Sequence, residues 1–148
     1  MKFNHILLTT DLSSESRRAY APAAEMAQTH GARLTLLHVV HDVRIAPHGA
    51  PLAPPVSDPD VGGMIDTARD ALDKQRKLLS DELEVQCVVI SGSDIAESVA
   101  DYASQNDVDL IMLSTHGRTG FRRLVLGSVA ESILHSAHVP VLCFPRPE

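Results

Sequence analysis

The sequence predicts an α/β fold, an open five-stranded parallel sheet with helices on both faces. Three observations carry that prediction. Short aliphatic runs without polar alternation, such as His5-Ile6-Leu7-Leu8 and Leu110-Ile111-Met112-Leu113, suit strands buried on both faces. Segments of helical periodicity separate these runs, and a β-α-β-α-β-α-β-α-β alternation implies a parallel sheet with right-handed crossovers. A length of 148 residues, 44% hydrophobic and 22% charged, fits one domain over 1–148 with one substantial core. Aromatic residues make up 3% and tryptophan is absent, so that core is aliphatic.

Strand one is read over residues 3–10, with Asp11 just past its carboxyl end. Ligand crevices of open parallel sheets lie outside the carboxyl ends of the strands, so Thr9, Thr10 and Asp11 are candidate site residues by position. Capping the next helix is the alternative role for Asp11, although Ser13 and Ser14 could do that instead. The helix itself is expected over about 14–29, with Ala19, Ala23, Met26 and Ala27 on one face. Pro22 should remove one of its backbone bonds and kink it, and Gly31 suits its C-terminal stop.

Residues 33–40 form strand two, which places Val39 and Val40 at its carboxyl end, beside Asp11 if the sheet is parallel. His38 and His41 invite a metal reading, but histidine in a strand beside a crevice is more often a hydrogen-bonded structural residue. Pro47, Pro51, Pro54, Pro55 and Pro59 then crowd a proline-rich insertion over about 42–63. Prolines at this density preclude a regular helix and disfavour sheet pairing, so the segment is expected to be a flap near the pocket.

Residues 64–79 resume helical spacing, with Ile65, Ala68, Leu72 and Leu79 on one side and a solvated mixed-charge face opposite. Strand three covers 85–90, and Asp94 with Glu97 looks like a capping pair for a helix over about 94–104. Asn106-Asp107 turns the chain into strand four. A last helix over about 128–137 leads to a final strand from Val139 to Phe144, bracketed by Pro140 and Pro145. Proline is confined to strand starts and edges, which makes this an edge strand in need of cover.

The stretch LIMLSTHGRTGFRRLVLGSVAESIL, from Leu110 to Leu134, organises the chain. It joins strand four to the last helix through a loop punctuated by Gly117, Gly120 and Gly127, with Ser128 close to the helix N-cap. A helix N-terminus offers free N–H groups and a positive dipole end, a seat for phosphate. Arg118, Arg122 and Arg123 add cationic charge. The alternative is a plain strand–loop–helix crossover with solvated arginines.

The spacing Ser114-x2-Gly117-x9-Gly127-Ser128 resembles the nucleotide-binding signature of the universal stress protein family, Gly-x2-Gly-x9-Gly followed by Ser or Thr. The likeness extends to the opening strand with its Asp, to LLHVV and to the closing VPVLCF, and so covers nearly the whole chain. Ser114 stands where the signature has its first glycine, and its hydroxyl could bond a ribose or phosphate oxygen. The expected strand order is 3-2-1-4-5, a Rossmann-like, adenine nucleotide alpha hydrolase-like sheet. That order puts a topological switch between strands one and four, which carry Asp11 and the phosphate-like loop.

By this resemblance the chain binds ATP or another adenine nucleotide (AMP or ADP), with Mg²⁺ as a companion ion. Main-chain groups around Gly117, Arg118, Thr119 and Gly120 and at Gly127, Ser128 and Val129 are assigned to the phosphates. The Ser128 hydroxyl is assigned to a terminal phosphate, and Asp11 to the ribose or Mg²⁺. Val39, with Thr9 and Leu113 near it, is assigned to the base. Thr10, Val40, Ser114 and His116 complete the candidate set. The resemblance also implies a homodimer paired through the final strand.

Enzymatic activity is not expected beyond slow ATP hydrolysis. No Gly-x4-Gly-Lys-[Ser/Thr] loop and no nucleophile elbow occurs, and nothing fixes His116 as a base. Nucleotide-dependent regulation in stress is the first reading. A nucleotide-free dimeric scaffold or chaperone-like module, favoured by Ser114, is the alternative, and an ATPase or nucleotidyl-transfer enzyme the third. A net charge of −6 and few aromatics argue against a nucleic-acid partner. Cys87 and Cys143 lie in apolar runs and read as reduced buried thiols. No apolar run approaches a membrane span, so a cytoplasmic location is expected.

Overall fold

The computed structural model describes residues 1–45, 52–115 and 126–145. Five strands, β1 (His5–Thr9), β2 (Arg33–His41), β3 (Val85–Gly92), β4 (Leu110–Ser114) and β5 (Val141–Phe144), pair in parallel. Their order is β3-β2-β1-β4-β5, as the sequence led us to expect. A 3-10 turn (Ser16–Ala19) and four helices, α1 (Tyr20–His30), α2 (Val61–Arg76), α3 (Ile95–Gln105) and α4 (Ser128–Ser136), connect them.

Alternation along the strands builds two cores. Ile6 and Leu8 of β1, Leu34 and Leu36 of β2 and Met112 of β4 pack with Tyr20, Ala23 and Ala27 of α1 and Leu72 of α2. Leu7, Leu37, Val39, Ile111 and Leu113 point the other way, against Val99 and Ala103 of α3 and Ala130 and Ile133 of α4. The helices therefore cover both faces. Ile6, Leu7, Leu8, Leu34, Leu36, Leu37, Ile111 and Met112 are buried completely, each stabilising the fold by roughly 1.5–3 kcal/mol.

Three local features differ from the sequence-based expectation. The first helix does not run continuously from residue 14 to 29, because the chain enters it through the 3-10 turn. Pro22 then falls in the first turn of α1, where its missing N–H would have had no helical partner, so no interior bond is lost. α2 starts at Val61, earlier than the periodicity suggested, with Gly62 and Gly63 in its first turn. The insertion does contain a pairing: Ile45 and Val56 exchange main-chain bonds of 2.9 and 3.0 Å. Its root is clasped by Asp42, whose N–H donates to Gly92 O at 2.9 Å and whose Oδ1 accepts Asp58 N–H at 3.2 Å.

Other expectations hold. Gly31 ends α1 in the left-handed region with φ of 62°, and Asp94 caps α3 by accepting Glu97 N–H. β5 is an edge strand, with exposed Pro140 and Pro145 on either side. Among the described residues no helix is long and apolar enough to cross a membrane.

Candidate functional site

β1 ends at Thr9, and the turn after it is pinned by side chains. Leu12 lies in the left-handed region, with φ of 67°, a conformation that costs a non-glycine residue about 1–2 kcal/mol. Asp11 Oδ1 accepts Ser13 N–H at 2.9 Å and also the Ser13 hydroxyl. Ser13 Oγ in turn accepts Ser16 N–H at 3.3 Å, while the N-caps of the 3-10 turn and of α1, Glu15 and Ala19, make no side-chain cap bond. The second Asp11 oxygen accepts nothing from the described residues, and the side chain is half-buried.

Thr10 and Thr9 take opposite faces. The Thr10 hydroxyl is buried, 2.8 Å from Ser16 Oγ and 2.9 Å from the Tyr20 hydroxyl, and it accepts Leu12 N–H at 3.0 Å. That hydroxyl is committed to the interior beside α1 and α2. His38 Nδ1 lies 2.8 Å from Thr10 O, and His41 Nε2 lies 3.0 Å from Ser93 O. Both histidines are thus structural partners of main-chain carbonyls.

Register decides which main-chain groups face the switch between β1 and β4. In β2, odd-numbered residues turn toward β1: Arg33 N–H donates to Asn4 O, and Leu37 O accepts Thr10 N–H, both at 2.9 Å. Val39 continues that parity past the end of β1, so its N–H and C=O point into the gap beside Asp11. Val40 has the other parity. It faces Ser91 of β3 and its side chain is buried, so the structure does not bring it to the gap with Val39.

Across the gap, Ile111 N–H donates to Pro140 O at 3.0 Å and Thr115 N–H to Phe144 O at 3.1 Å. Odd residues of β4 therefore serve β5, and Ser114 turns its main chain to the β1 side. The Ser114 hydroxyl lies 3.4 Å from Phe144 O, a contact toward β5. Leu113 is buried in the core beneath the gap.

α4 opens beside Thr115. Gly127 is its N-cap, and the Gly127 N–H donates to Thr115 O at 3.0 Å. A Cβ on Gly127 would sit 2.8 Å from that carbonyl oxygen. Close approach to β4 thus requires glycine here, in addition to any need to admit a phosphate. Gly127 offers no side chain to cap the helix, and the first bond it accepts comes from Glu131 N–H at 2.9 Å. The N–H groups of Ser128, Val129 and Ala130 are left at the positive end of the helix dipole, with Ser128 and Val129 exposed. His116, Gly117, Arg118, Thr119 and Gly120, with Arg122 and Arg123, lie outside the described residues.

The carboxyl edge of the sheet thus presents a carboxylate, an unpaired strand edge and a helix N-terminus around one gap. These suit the sugar, the base and the phosphate of a nucleotide in turn. Among the described residues no group of three or more His, Cys, Asp or Glu could hold a metal alone. A lone Asp11 still suits Mg²⁺ shared with phosphate oxygens, the usual way that ion is held. Elsewhere, a groove of about 580 Å³ between α3 and α4 is lined by Asp94, Glu97, Asp101, His135 and His138, and holds none of the candidate residues. Burial raises the thiol pKa of Cys87 and of Cys143, which makes both poor nucleophiles.

Sequence reasoning missed Gln75 and Tyr20, which bond the turn bearing Asp11 from behind. The available signal was a polar residue on the apolar stripe of α2: Gln75 follows Ala68 and Leu72 at helical spacing.

Comparison with known proteins gives a consistent picture. The model of the universal stress protein family matches residues 2–145. Universal stress protein A homolog 1 of Coxiella burnetii is 33% identical, covering 96% of this chain and 96% of its own length. The structure of universal stress protein UspA from Lactobacillus plantarum is similar with a TM-score of 0.78 at 24% identity, over 97% of this chain and 99% of that one. The universal stress protein from Archaeoglobus fulgidus in complex with dAMP is similar with a TM-score of 0.62 at 22% identity, over 97% and 98% of the two chains.

Proposed function

The chain belongs to the universal stress protein family, and from that premise we propose that it binds an adenine nucleotide where β1 and β4 part. Binding, and not turnover, is its work: ATP, ADP or AMP biases its conformation or its choice of partner in a cytoplasmic stress response. The observation that carries this reading is Val39, whose main-chain edge toward β1 has no strand beside it among the described residues and suits the adenine ring. The first-turn amides of α4, from Ser128 to Ala130, take the phosphates, and the Ser128 hydroxyl takes the terminal one. Asp11 faces the ribose or a Mg²⁺ ion shared with the phosphates. Thr9 and Leu113 lie under the base, while His116, Gly117, Arg118, Thr119 and Gly120 complete the phosphate side. A dAMP complex of an Archaeoglobus relative with the same fold supports the choice of ligand class.

The same reading includes a homodimer. Residues Pro140 and Phe144 turn their main chain inward to β4, so Val141 and Cys143 present theirs at the free edge, ready to pair with a second copy. The second reading is a nucleotide-free dimeric scaffold, favoured by the Ser114 hydroxyl being directed to β5 and by Ser13 occupying one Asp11 oxygen.

Isothermal titration with ATP, AMP and cyclic AMP, with and without Mg²⁺, separates the two. Asp11→Asn keeps an acceptor for Ser13 and removes the charge. It should weaken ATP binding roughly 10- to 100-fold, the worth of one charged hydrogen bond. Absence of heat at millimolar ligand leaves the scaffold reading standing.

A further inference from the structure

Gln75 is the buried polar residue of α2, and its amide is used at both ends. Nε2 donates to Leu12 O at 2.9 Å, while Oε1 accepts the Tyr20 hydroxyl and lies 3.4 Å from Thr10 Oγ1. The amide orientation follows from chemistry, since the Leu12 carbonyl needs a donor and the tyrosine hydroxyl an acceptor. Leu12 is therefore held at both main-chain groups, its N–H by Thr10 and its C=O by Gln75. That grip keeps a leucine at φ of 67°, a conformation that survives only where surroundings over-determine it. Asp11 is the residue immediately before it.

We propose that Gln75 is a positioning residue for the nucleotide site: acting through Leu12 and Thr10, it aims the Asp11 carboxylate. This rests on the nucleotide-binding reading above. It also couples α2, into which the insertion leads, to ligand affinity, because Gln75 is the side chain of α2 that reaches the turn. Tyr20 assists by orienting the amide from the other side.

The test is a double-substitution cycle on ATP affinity, with Gln75→Met, Asp11→Asn and the pair. Methionine has similar volume and cannot make these bonds. Gln75→Met should weaken ATP binding about 2- to 10-fold, the range of one hydrogen bond. In the Asp11→Asn background the same change should have less than about a twofold effect, since a residue acting through Asp11 has nothing left to aim. Tyr20→Phe, which keeps shape and removes only the hydroxyl, should show the same dependence on Asp11 and guards against a Gln75 variant that folds poorly. Binding of inorganic tripolyphosphate without Mg²⁺, which would engage the phosphate side and not Asp11, should be unchanged in Gln75→Met and Tyr20→Phe. Equal losses in both backgrounds, unchanged ATP affinity in Gln75→Met, or a parallel loss of tripolyphosphate binding overturns the positioning role while the nucleotide site stands. Failure of the unaltered protein to bind ATP removes the underlying reading and this inference with it.

Discussion

Replacing Gly127 with alanine tests how the candidate site is built. The backbone at Gly127, with φ of −60° and ψ of 147°, is open to any residue, so the conformation itself does not demand glycine. The demand is steric. An added Cβ would lie 2.8 Å from Thr115 O, about half an ångström inside an ordinary carbon–oxygen contact of roughly 3.3–3.6 Å. Thr115 cannot retreat easily, because it is buried and its own N–H is bonded to Phe144 O. The start of α4 must move instead. Overpacking of this kind costs about 1–3 kcal/mol, and in a domain of this size each kcal/mol lowers Tm by about 2–4 °C. The expected loss is therefore about 2–12 °C, read by thermal unfolding in far-UV circular dichroism. Gly62→Ala is the matched control: its Cβ meets nothing within 4 Å, and an alanine in a helix gains up to about 1 kcal/mol. Gly62→Ala should melt at or above the temperature of the unaltered chain. If Gly127→Ala melts together with Gly62→Ala, the tight approach of α4 to β4 is not a constraint, and the reasoning fails.

Two further outcomes follow from the sheet. His5 is buried, with Nε2 2.8 Å from Thr35 Oγ1 and Nδ1 2.9 Å from Asn106 O; burial, with the Arg33 guanidinium beside it, holds its pKa below 6.5 despite the Asn106 carbonyl. The unfolded chain then takes up the proton first, so the His5 contribution is complete above pH 6.5 and is lost as pH falls through that value toward the native pKa. Melting temperatures at pH 7.5 and 5.5 should diverge less in His5→Asn than in the unaltered chain, and an identical divergence refutes the assignment. At the far edge, Cys143→Pro removes an outward N–H and spares the inward bonds to β4, so it should give monomers in sedimentation equilibrium while the fold persists. A dimer of undiminished stability would place the interface elsewhere.

The inner strands β1, β2 and β4 were legible because each is an aliphatic run largely buried on both faces. Their exact ends were not. β2 and β3 run on together to His41 and Gly92, an extension set by mutual pairing across the sheet and not by local residue preference. The entry to the first helix escaped for a related reason: side-chain bonds among Ser13 and Ser16 shape it into a 3-10 turn, and such bonds carry no periodicity. The gap at the switch was legible, since the strand order places Asp11 and Gly127 on either side of it. Which of Val39 and Val40 serves the gap depends on register, which spacing alone does not reveal. The Thr10 hydroxyl and Gln75 find their partners through contacts up to 65 residues apart in sequence, beyond any local motif.

The clasp at the base of the insertion makes this domain modular. Asp42, Gly92 and Asp58, with the Ile45–Val56 pair above them, fasten both arms before the chain departs from the sheet. What is spliced between those arms is judged mainly by the entropy of closing a loop, and doubling its length adds only about 0.6 kcal/mol. A reporter peptide or protease site grafted there would be carried without shifting β2 against β3. Lineages could likewise exchange that segment, acquiring new surfaces while the sheet and the gap between β1 and β4 are inherited intact.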